Sequence, residues 1–314
     1  MRHSLIILMM LAAARLSLAA TETTFDSAGL AQPADQAGVG ARALAMGSAY
    51  VGVAEGSLAL MWNAAGLAQL TAADVSLHHN SGLADTTQET LLIAGPLGSL
   101  GGFGAGFNYI NNGEIEGRDA SGNLTPSFSA GSMGVQVGWG KELLGGLSLG
   151  LAANFTTQTL GSDSYSSLAG DIAGLWTPLS GLRIGLSYMN LGGNVQGTAM
   201  TSGLRLGASL ALPSPDNQLL LAVGGEMDQG INRAQVGAED SIAGAFALRA
   251  GYQFNSEGQD YGGVSGLTLG GGIKLASLNL DYAYLPFGDL GASHRVSLSY
   301  DFSSGKAGKD EVSP

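Results

Sequence analysis

The 314-residue sequence contains no cysteine. No disulfide can staple the chain, so its stability must come from strand pairing and burial. Charge is also scarce. Asp, Glu, Lys and Arg make up 12% of the residues, against about 25% in an average globular domain. The positive sign is the scarcer one: 13 Lys and Arg against 25 Asp and Glu give a formal net charge of −12. That balance argues against nucleic acid as a partner and against a peripheral protein held on anionic lipid by basic residues. Beyond residue 20 no run approaches the ~20 apolar residues that a spanning helix needs. The mean hydropathy of +0.20 is low for a bundle of membrane helices. Apolar residues are nevertheless abundant at 45%, and 51 residues are Gly. Apolar content spread one residue in two, without long runs, suits a transmembrane β-barrel.

The N-terminus has its own grammar. Arg2 and His3 form a short basic start, Leu5 to Ala14 is an apolar stretch, and Ser17-Leu18-Ala19 and Leu18-Ala19-Ala20 offer cleavage after Ala19 or Ala20. The polar Thr21-Glu22-Thr23-Thr24 follows at once. Residues 1–20 are therefore read as a secretory signal peptide and set apart from the fold.

Residues 21–39 are polar and Gly/Ala-rich. From Gly40 to Leu70 the period is helical. Ala41, Leu44, Ala45 and Ser48 stand at i, i+3, i+4 and i+7, and Leu58, Met61 and Trp62 form a second stripe. This spacing predicts one or two short helices or turns. From Asp74 the period becomes two and stays so. In His294 to Phe302, Val296, Leu298, Tyr300 and Phe302 fall on one face and Arg295, Ser297, Ser299 and Asp301 on the other. Residues 103–109, 133–139, 182–188, 204–212, 246–254, 267–275 and 278–284 repeat the pattern. Gly- and Pro-containing turns separate the runs, and counting every such segment gives about fourteen strands of roughly ten residues, enough to cross a bilayer when tilted. An even count returns both barrel ends to one side. Tight connections such as Ala276-Ser277 read as periplasmic turns. Longer ones, residues 111–129 and 255–262, read as extracellular loops.

The polar face carries Arg183, Arg205, Arg249, Lys274 and Arg295 against Asp171, Glu226 and Asp281. In a barrel these charges line a wet lumen, and Arg295 is expected to pair with Asp281 across the last hairpin. Gly and Ala on the same face leave room inside for the 21–70 segment as a hatch or plug. Closure also removes the open edges that long apolar ladders would otherwise expose. On the apolar face, Trp139, Phe155, Trp176, Tyr188, Tyr252, Phe254, Tyr282 and Tyr300 suit aromatic girdles at the headgroups. A soluble secreted β-sandwich is the competing reading of the same alternation.

Chemistry-bearing motifs are few. Gly38-Val39-Gly40-Ala41-Arg42-Ala43 fits a loose dinucleotide pattern but lacks the preceding hydrophobic strand. His78 and His79 would point to opposite faces of a strand, and no third ligand stands at a useful spacing. No nucleophile elbow or paired-carboxylate arrangement occurs. The residues therefore indicate no enzyme, no metal and no cofactor.

Two stretches resemble a known family. Gly40-Ala41-Arg42-Ala43-Leu44-Ala45-Met46-Gly47, with Trp62-Asn63-Ala64-Ala65-Gly66-Leu67-Ala68, is similar to the N-terminal signature of PorV/PorQ proteins. These are outer-membrane barrels related to the FadL long-chain fatty acid transporters. Ala64 stands where that family usually has proline, and its acidic pair is reduced to Glu55. Tyr284 to Gly291, running into Ser293 to Leu298, resembles the family's closing hairpin. The resemblance implies an all-β, fourteen-stranded transmembrane antiparallel barrel (71–302) with a short helical hatch in its lumen and a polar tail at 303–314. It implies that Gly40, Arg42, Met46, Gly47, Trp62, Asn63 and Gly66 shape the hatch. Pro286, Phe287, Gly288, Asp289 and His294 would build the closing hairpin, and Phe302 would be the terminal aromatic read by the barrel-assembly machinery.

The first functional reading is therefore a non-enzymatic outer-membrane scaffold of the PorV/PorQ kind, associated with type IX secretion and meeting exported protein cargo through its loops. The alternative is a FadL-like channel for uptake or export of hydrophobic ligands. The expected loops are modest, which weighs against the scaffold, and the lumen face is polar, which weighs against a greasy conduit.

Overall fold

The period-two alternation closes on itself. The computed structural model describes residues 38–195, 198–215, 217–228, 232–255 and 265–302. The barrel strands in chain order are β1 (Asp74–Ser81), β2 (Thr87–Pro96), β3 (Gly102–Arg118), β4 (Leu124–Leu144), β5 (Leu147–Leu160), β6 (Asp163–Leu179) and β7 (Leu182–Leu191). They continue with β8 (Gly203–Pro213), β9 (Asn217–Asp228), β10 (Asn232–Ile242), β11 (Phe246–Asn255), β12 (Leu267–Leu275), β13 (Leu278–Pro286) and β14 (Ala292–Asp301). Each strand is antiparallel to its sequence neighbours, and β1 closes against β14, with Asp74 opposite Asp301 and Ser81 opposite His294. Fourteen paired strands leave no free sheet edge, as the alternation predicts.

The even strand count places the start of β1 and the end of β14 at the same rim, among short turns. One of these is Gly145-Gly146, whose φ angles of 62° and 76° form the primed turn that matches strand twist. One expected loop is corrected. Residues 111–129 are mostly strand, because β3 runs to Arg118 and β4 starts at Leu124, leaving only 119–123 as a turn. Register shifts after Asn111 and Ile115 let a Gly- and Ser-rich stretch stay paired. The expected loop at 255–262 falls almost wholly outside the described residues. So do the signal peptide, residues 21–37 and the tail.

The two faces of the sheet separate as the pleat requires. Leu77, Ile93, Leu151, Ile172, Leu248 and Leu298 are exposed on the outer wall, Leu248 by 62%. Phe103, Trp176, Tyr300 and Phe302 cluster towards the turn rim. Tyr109, Tyr188, Tyr252 and Tyr282 lie towards the other. Trp139 is half-exposed, and its indole N–H donates to Leu100 O at 2.8 Å. An outer wall of exposed Leu, Ile and Val between aromatic belts is the surface of a membrane barrel, not of a sandwich whose apolar face turns inward. His78 and His79 do point to opposite faces. His78 is buried, and His79 meets Glu89 on the exterior at 2.6 Å.

Candidate functional site

Inside the barrel lies the helical segment. It comprises α1 (Ala41–Ala45), α2 (Ala59–Trp62) and a 3-10 turn (Ala64–Gln69). Helices this short do not hold themselves together. Their stability comes from the wall, and the wall is built to let them approach. Ala45 rests on Gly270 of β12, Met46 and Gly47 on Gly237 and Gly251 of β10 and β11, and Val51 and Gly52 on Gly185 and Gly207 of β7 and β8. Ala64, Ala65 and Leu67 rest on Gly140, Gly150 and Gly102 of β4, β5 and β3. A Cβ at Gly251 or Gly237 would run into the hatch backbone, and one at Gly47 would lie 2.7 Å from Tyr252 N. Gly47 also has φ 64°, a conformation that side chains disfavour. The hatch thus circles the inner wall on a belt of glycines, and Met46, Ala49, Tyr50, Val51, Leu60 and Leu67 fill the lumen.

Hydrogen bonds tie this girdle down. Asn63 caps the 3-10 turn by accepting from Ala65 N at 3.1 Å, and its amide donates to Val51 O and, across to β6, to Gly174 O at 3.0 Å. With Asn63 as the cap, Ala64 enters the turn without the proline of the resembled signature. Thr268 Oγ1 accepts from Gly47 N and donates to Ala45 O, each at 3.0 Å. Trp62 donates to Val39 O at 3.0 Å, Gly40 (φ 93°) packs under Leu58, and a Cβ at Gly66 would strike Ala54 O. All seven residues that the resemblance assigned to the hatch therefore lie in this packed segment.

At its centre the hatch carries an ionic latch. Arg42 donates to both carboxylate oxygens of Glu239 on β10, Nε at 2.7 Å and Nη2 at 2.8 Å, and to Glu55 at 2.9 Å. Glu55 also takes Arg183 of β7 at 3.0 Å. On the far side Arg249 of β11 holds both Glu239 and Asp281 of β13, the latter at 2.6 Å. Three arginines and three carboxylates thus alternate from one wall to the other through two hatch residues. Burial alone would push the Glu55 carboxyl up, but Arg42 and Arg183 outweigh it and hold it below its ordinary value. Burial pushes the Tyr50 phenol, beside Arg42, up to about 12. A second cluster joins Arg205 to Glu226 at 2.9 Å and Arg233 to Glu226 at 3.2 Å, with the Arg205 guanidinium 5.6 Å from the Trp62 ring.

The expected lumen charges all face inward, but their partners differ from the expectation. Asp281 pairs with Arg249, not Arg295. Arg249 reaches over Gly272, which offers no side chain to obstruct it, whereas Arg295 donates to Gln88 at 3.1 Å. Asp171 accepts from Asn190 N and the Asn154 amide, each at 2.8 Å. Lys274 is exposed at the turn-side rim. In the closing hairpin, Phe287 to Leu290 make a turn, and Tyr282 OH meets His294 on the outside at 2.7 Å. Phe302 N donates to Ala73 O at 2.9 Å, and its ring packs on Tyr300. Glu239 is not singled out by the sequence, and Thr268 and Ser297 stand out there only as polar positions of their strands, although all three sit on the inward phase.

One cavity adjoins the hatch and another lies outside the barrel. A polar vestibule of about 460 Å³ lies between the latch and the turn rim, lined by Arg42, Glu55, Asp74, Glu239, Lys274 and Asp301 among others. An apolar groove of about 310 Å³ lies on the outer wall over β8–β12, between Leu210, Leu221, Tyr252 and Leu267.

No family model matches the chain, and no curated protein sequence does. Solved structures do match. The toluene transporter TodX of Pseudomonas putida has a TM-score of 0.61 at 13% identity, over 84% of this chain and 98% of that one. The CymD monoaromatic hydrocarbon channel gives 0.57 at 11%, over 84% and 96%. A Pseudomonas aeruginosa FadL homologue gives 0.52 at 11%, over 81% and 96%. The fold is shared with outer-membrane channels. At these identities the likeness concerns architecture, and it agrees with the FadL-related part of the sequence resemblance.

Proposed function

We propose that this chain is a non-enzymatic outer-membrane channel for small molecules, held shut by its own N-terminal hatch. The observation that carries the reading is the latch. Closure depends on Arg42 and Glu55 bridging Arg183, Glu239 and Arg249, contacts that can be exchanged for water or solute without unfolding the barrel. The vestibule behind the latch is already open space. The structural likeness to hydrocarbon channels favours the same class of function. The PorV/PorQ-like stretches fall in the hatch and the closing hairpin, which supports placing the chain on that branch of the FadL-related barrels. A secretion scaffold is supported less. It needs broad ordered loops, whereas the connections at 82–86, 119–123, 161–162 and 287–291 are short and the longer one between Leu191 and Gly203 is drawn in against Ala169 through Val195 and Met200.

Hydrophobic cargo has one observation in its favour, the apolar groove on the outer wall. The lumen favours polar cargo, because its free volume is lined by carboxylates, hydroxyls and guanidinium groups. Planar-bilayer conductance tests the channel reading. The intact protein is expected to be silent, and deletion of residues 40–70 is expected to give stable open channels. A deletion form that inserts and stays silent would overturn it.

A further inference from the structure

On the side of the hatch away from the vestibule, the lumen wall carries a group of carboxamides. Along β3 the inward positions Gly102, Gly104 and Gly106 lie against Leu67 and Leu60 of the hatch, and the next inward position is Asn108. Gln136 of β4, Asn154 of β5 and Asn190 of β7 stand beside it around one pocket. Asp171 of β6 ties three of these residues together. It accepts from the Gln136 amide at 3.3 Å, from the Asn154 amide at 2.8 Å and from Asn190 N at 2.8 Å. The carboxylate takes the N–H ends of the two amides, so their carbonyl oxygens are the ends turned away from it. For Asn154 that oxygen is buried and has no hydrogen-bond partner among the described residues. A buried acceptor in that state is destabilising until a donor reaches it.

The charge of Asp171 also lacks a close counterpart. Glu55, Glu226, Glu239 and Asp281 each hold at least one arginine. Asp171 is buried and makes no ion pair among the described residues. Arg205, whose charge reaches it, is held by Glu226 at 2.9 Å. Neutral donors satisfy the lone pairs of a carboxylate but leave its charge in place, so the space around Asp171 favours a cation. That space includes a pocket of about 30 Å³ between Met61 of the hatch and Asn108, Gln136, Asn154, Thr156 and Asn190. It has room for about two waters.

We propose that this pocket is a recognition site for a primary ammonium group, the head of a small amine that enters the lumen from the side opposite the vestibule. An ammonium head is about the size of a water and carries three N–H donors and no acceptor. The wall offers the Asn154 and Gln136 carbonyls and the Thr156 hydroxyl as acceptors, and Asp171 supplies the countercharge one amide further out. The methylenes and thioether of Met61 give the amine's carbon an apolar face. A bare alkali ion is served less well, because it needs oxygens on every side and Met61 closes one of them. A carboxylate or phosphate is repelled by Asp171. The site goes beyond the channel reading and does not depend on it, since binding is measurable whether or not the barrel conducts.

Isothermal titration calorimetry of the full-length protein in detergent micelles tests the site, with methylammonium, tetramethylammonium, potassium and glycerol as probes. Methylammonium is expected to bind at a single site. Tetramethylammonium, which has no N–H, is expected to bind about tenfold more weakly or worse, and so are potassium and glycerol. Asp171→Asn, Asn154→Leu and Thr156→Val are each expected to weaken methylammonium binding several-fold. Asp240→Asn, which removes an acid from the outer face of β10 between Leu219 and Leu248, is expected to leave it unchanged. Folding of each variant is checked by heat-modifiable gel migration. If Asp171→Asn does not fold, Asn154→Leu and Thr156→Val carry the test. Absence of methylammonium binding, equal binding of tetramethylammonium, a preference for potassium or glycerol, or undiminished binding in both Asn154→Leu and Thr156→Val would overturn the assignment. A silent hatch deletion in the bilayer would remove the channel reading and leave this site standing.

Discussion

Arg42 of the hatch and Glu239 of β10 face each other as a two-pronged ion pair, with donor–acceptor distances of 2.7 and 2.8 Å. The planar guanidinium matches the carboxylate, a fit that lysine cannot reproduce. Arg42 simultaneously holds Glu55, so one side chain joins the two ends of the hatch loop to the wall. Arg42→Ala removes this link and leaves Glu239 with Arg249. The expected cost is about 1–3 kcal/mol, reduced from a fully buried pair by the partial exposure of Arg42. The measurement is denaturant unfolding in detergent micelles. Arg42→Lys is expected to recover only part of the loss, and full recovery would show that charge without geometry suffices.

The glycine belt makes a steric prediction. Gly251→Ala places a methyl against the backbone of Met46 and Gly47, which cannot yield without moving the hatch. The barrel itself gains no clash from the change, so the expected outcome is a folded, heat-modifiable barrel with a displaced hatch and measurable conductance. Overpacking of this kind costs about 1–3 kcal/mol. Gly134→Ala is the control, since its methyl would stand 3.5 Å from Thr156 Oγ1, an ordinary contact. Equal behaviour of the two variants would mean that the close approach of hatch to wall does not govern closure.

Acid should loosen the latch. Glu55 titrates below its ordinary value of 4.5 because Arg42 and Arg183 favour its charged form. A carboxyl with a depressed folded-state value contributes stability that is complete above its unfolded value and fades as pH falls through the folded one. Closure is therefore expected to hold from neutral pH down to about 4.5 and to weaken below it. With a side chain 42% exposed, solvent softens the effect. Channel openings recorded against pH are expected to rise only on the acid side in the native protein. Glu55→Gln, which lacks the titrating group, is expected to open at neutral pH and to show a flatter profile.

Much of this architecture is legible in the residues because a membrane barrel writes its two faces alternately. Val296, Leu298 and Tyr300 stand out against Arg295, Ser297 and Ser299, and the same rule placed Arg183, Arg205 and Arg249 on the inner face. Partner choice was not legible. Asp281 lies nearer to Arg295 in sequence, yet it bonds Arg249, because Arg249 can lean across Gly272 from two strands away. That depends on register accumulated over several turns. The length of β3 and β4 was hidden for another reason. Small residues at 111–131 carry little alternating apolar signal, so the stretch reads as a loop until its pairing is seen. Glu239 was missed because a lone acid in the inward phase of β10 has no sequence mark that sets it apart from the nearby Asp240, which the pleat turns the other way.

Leu298 tests the wall from the other side. It lies on the outer face between the aromatic belts, 39% exposed, with Leu77 opposite on β1 and Leu280 opposite on β13. If this face meets lipid, a charge here must be pulled into hydrocarbon or drag water after it. Leu298→Arg is then expected to destabilise the barrel by about 2–4 kcal/mol, the midplane penalty for outer-membrane barrels, and Leu298→Met by less than about 1.5. A soluble protein would expose the same position to water, and arginine there would cost almost nothing. Urea titration of the refolded protein in lipid vesicles distinguishes the two. A midpoint for Leu298→Arg equal to that of Leu298→Met would remove the membrane from around this strand, whereas a large drop confined to the arginine variant fixes the lipid boundary on the residues that the alternation assigned to it.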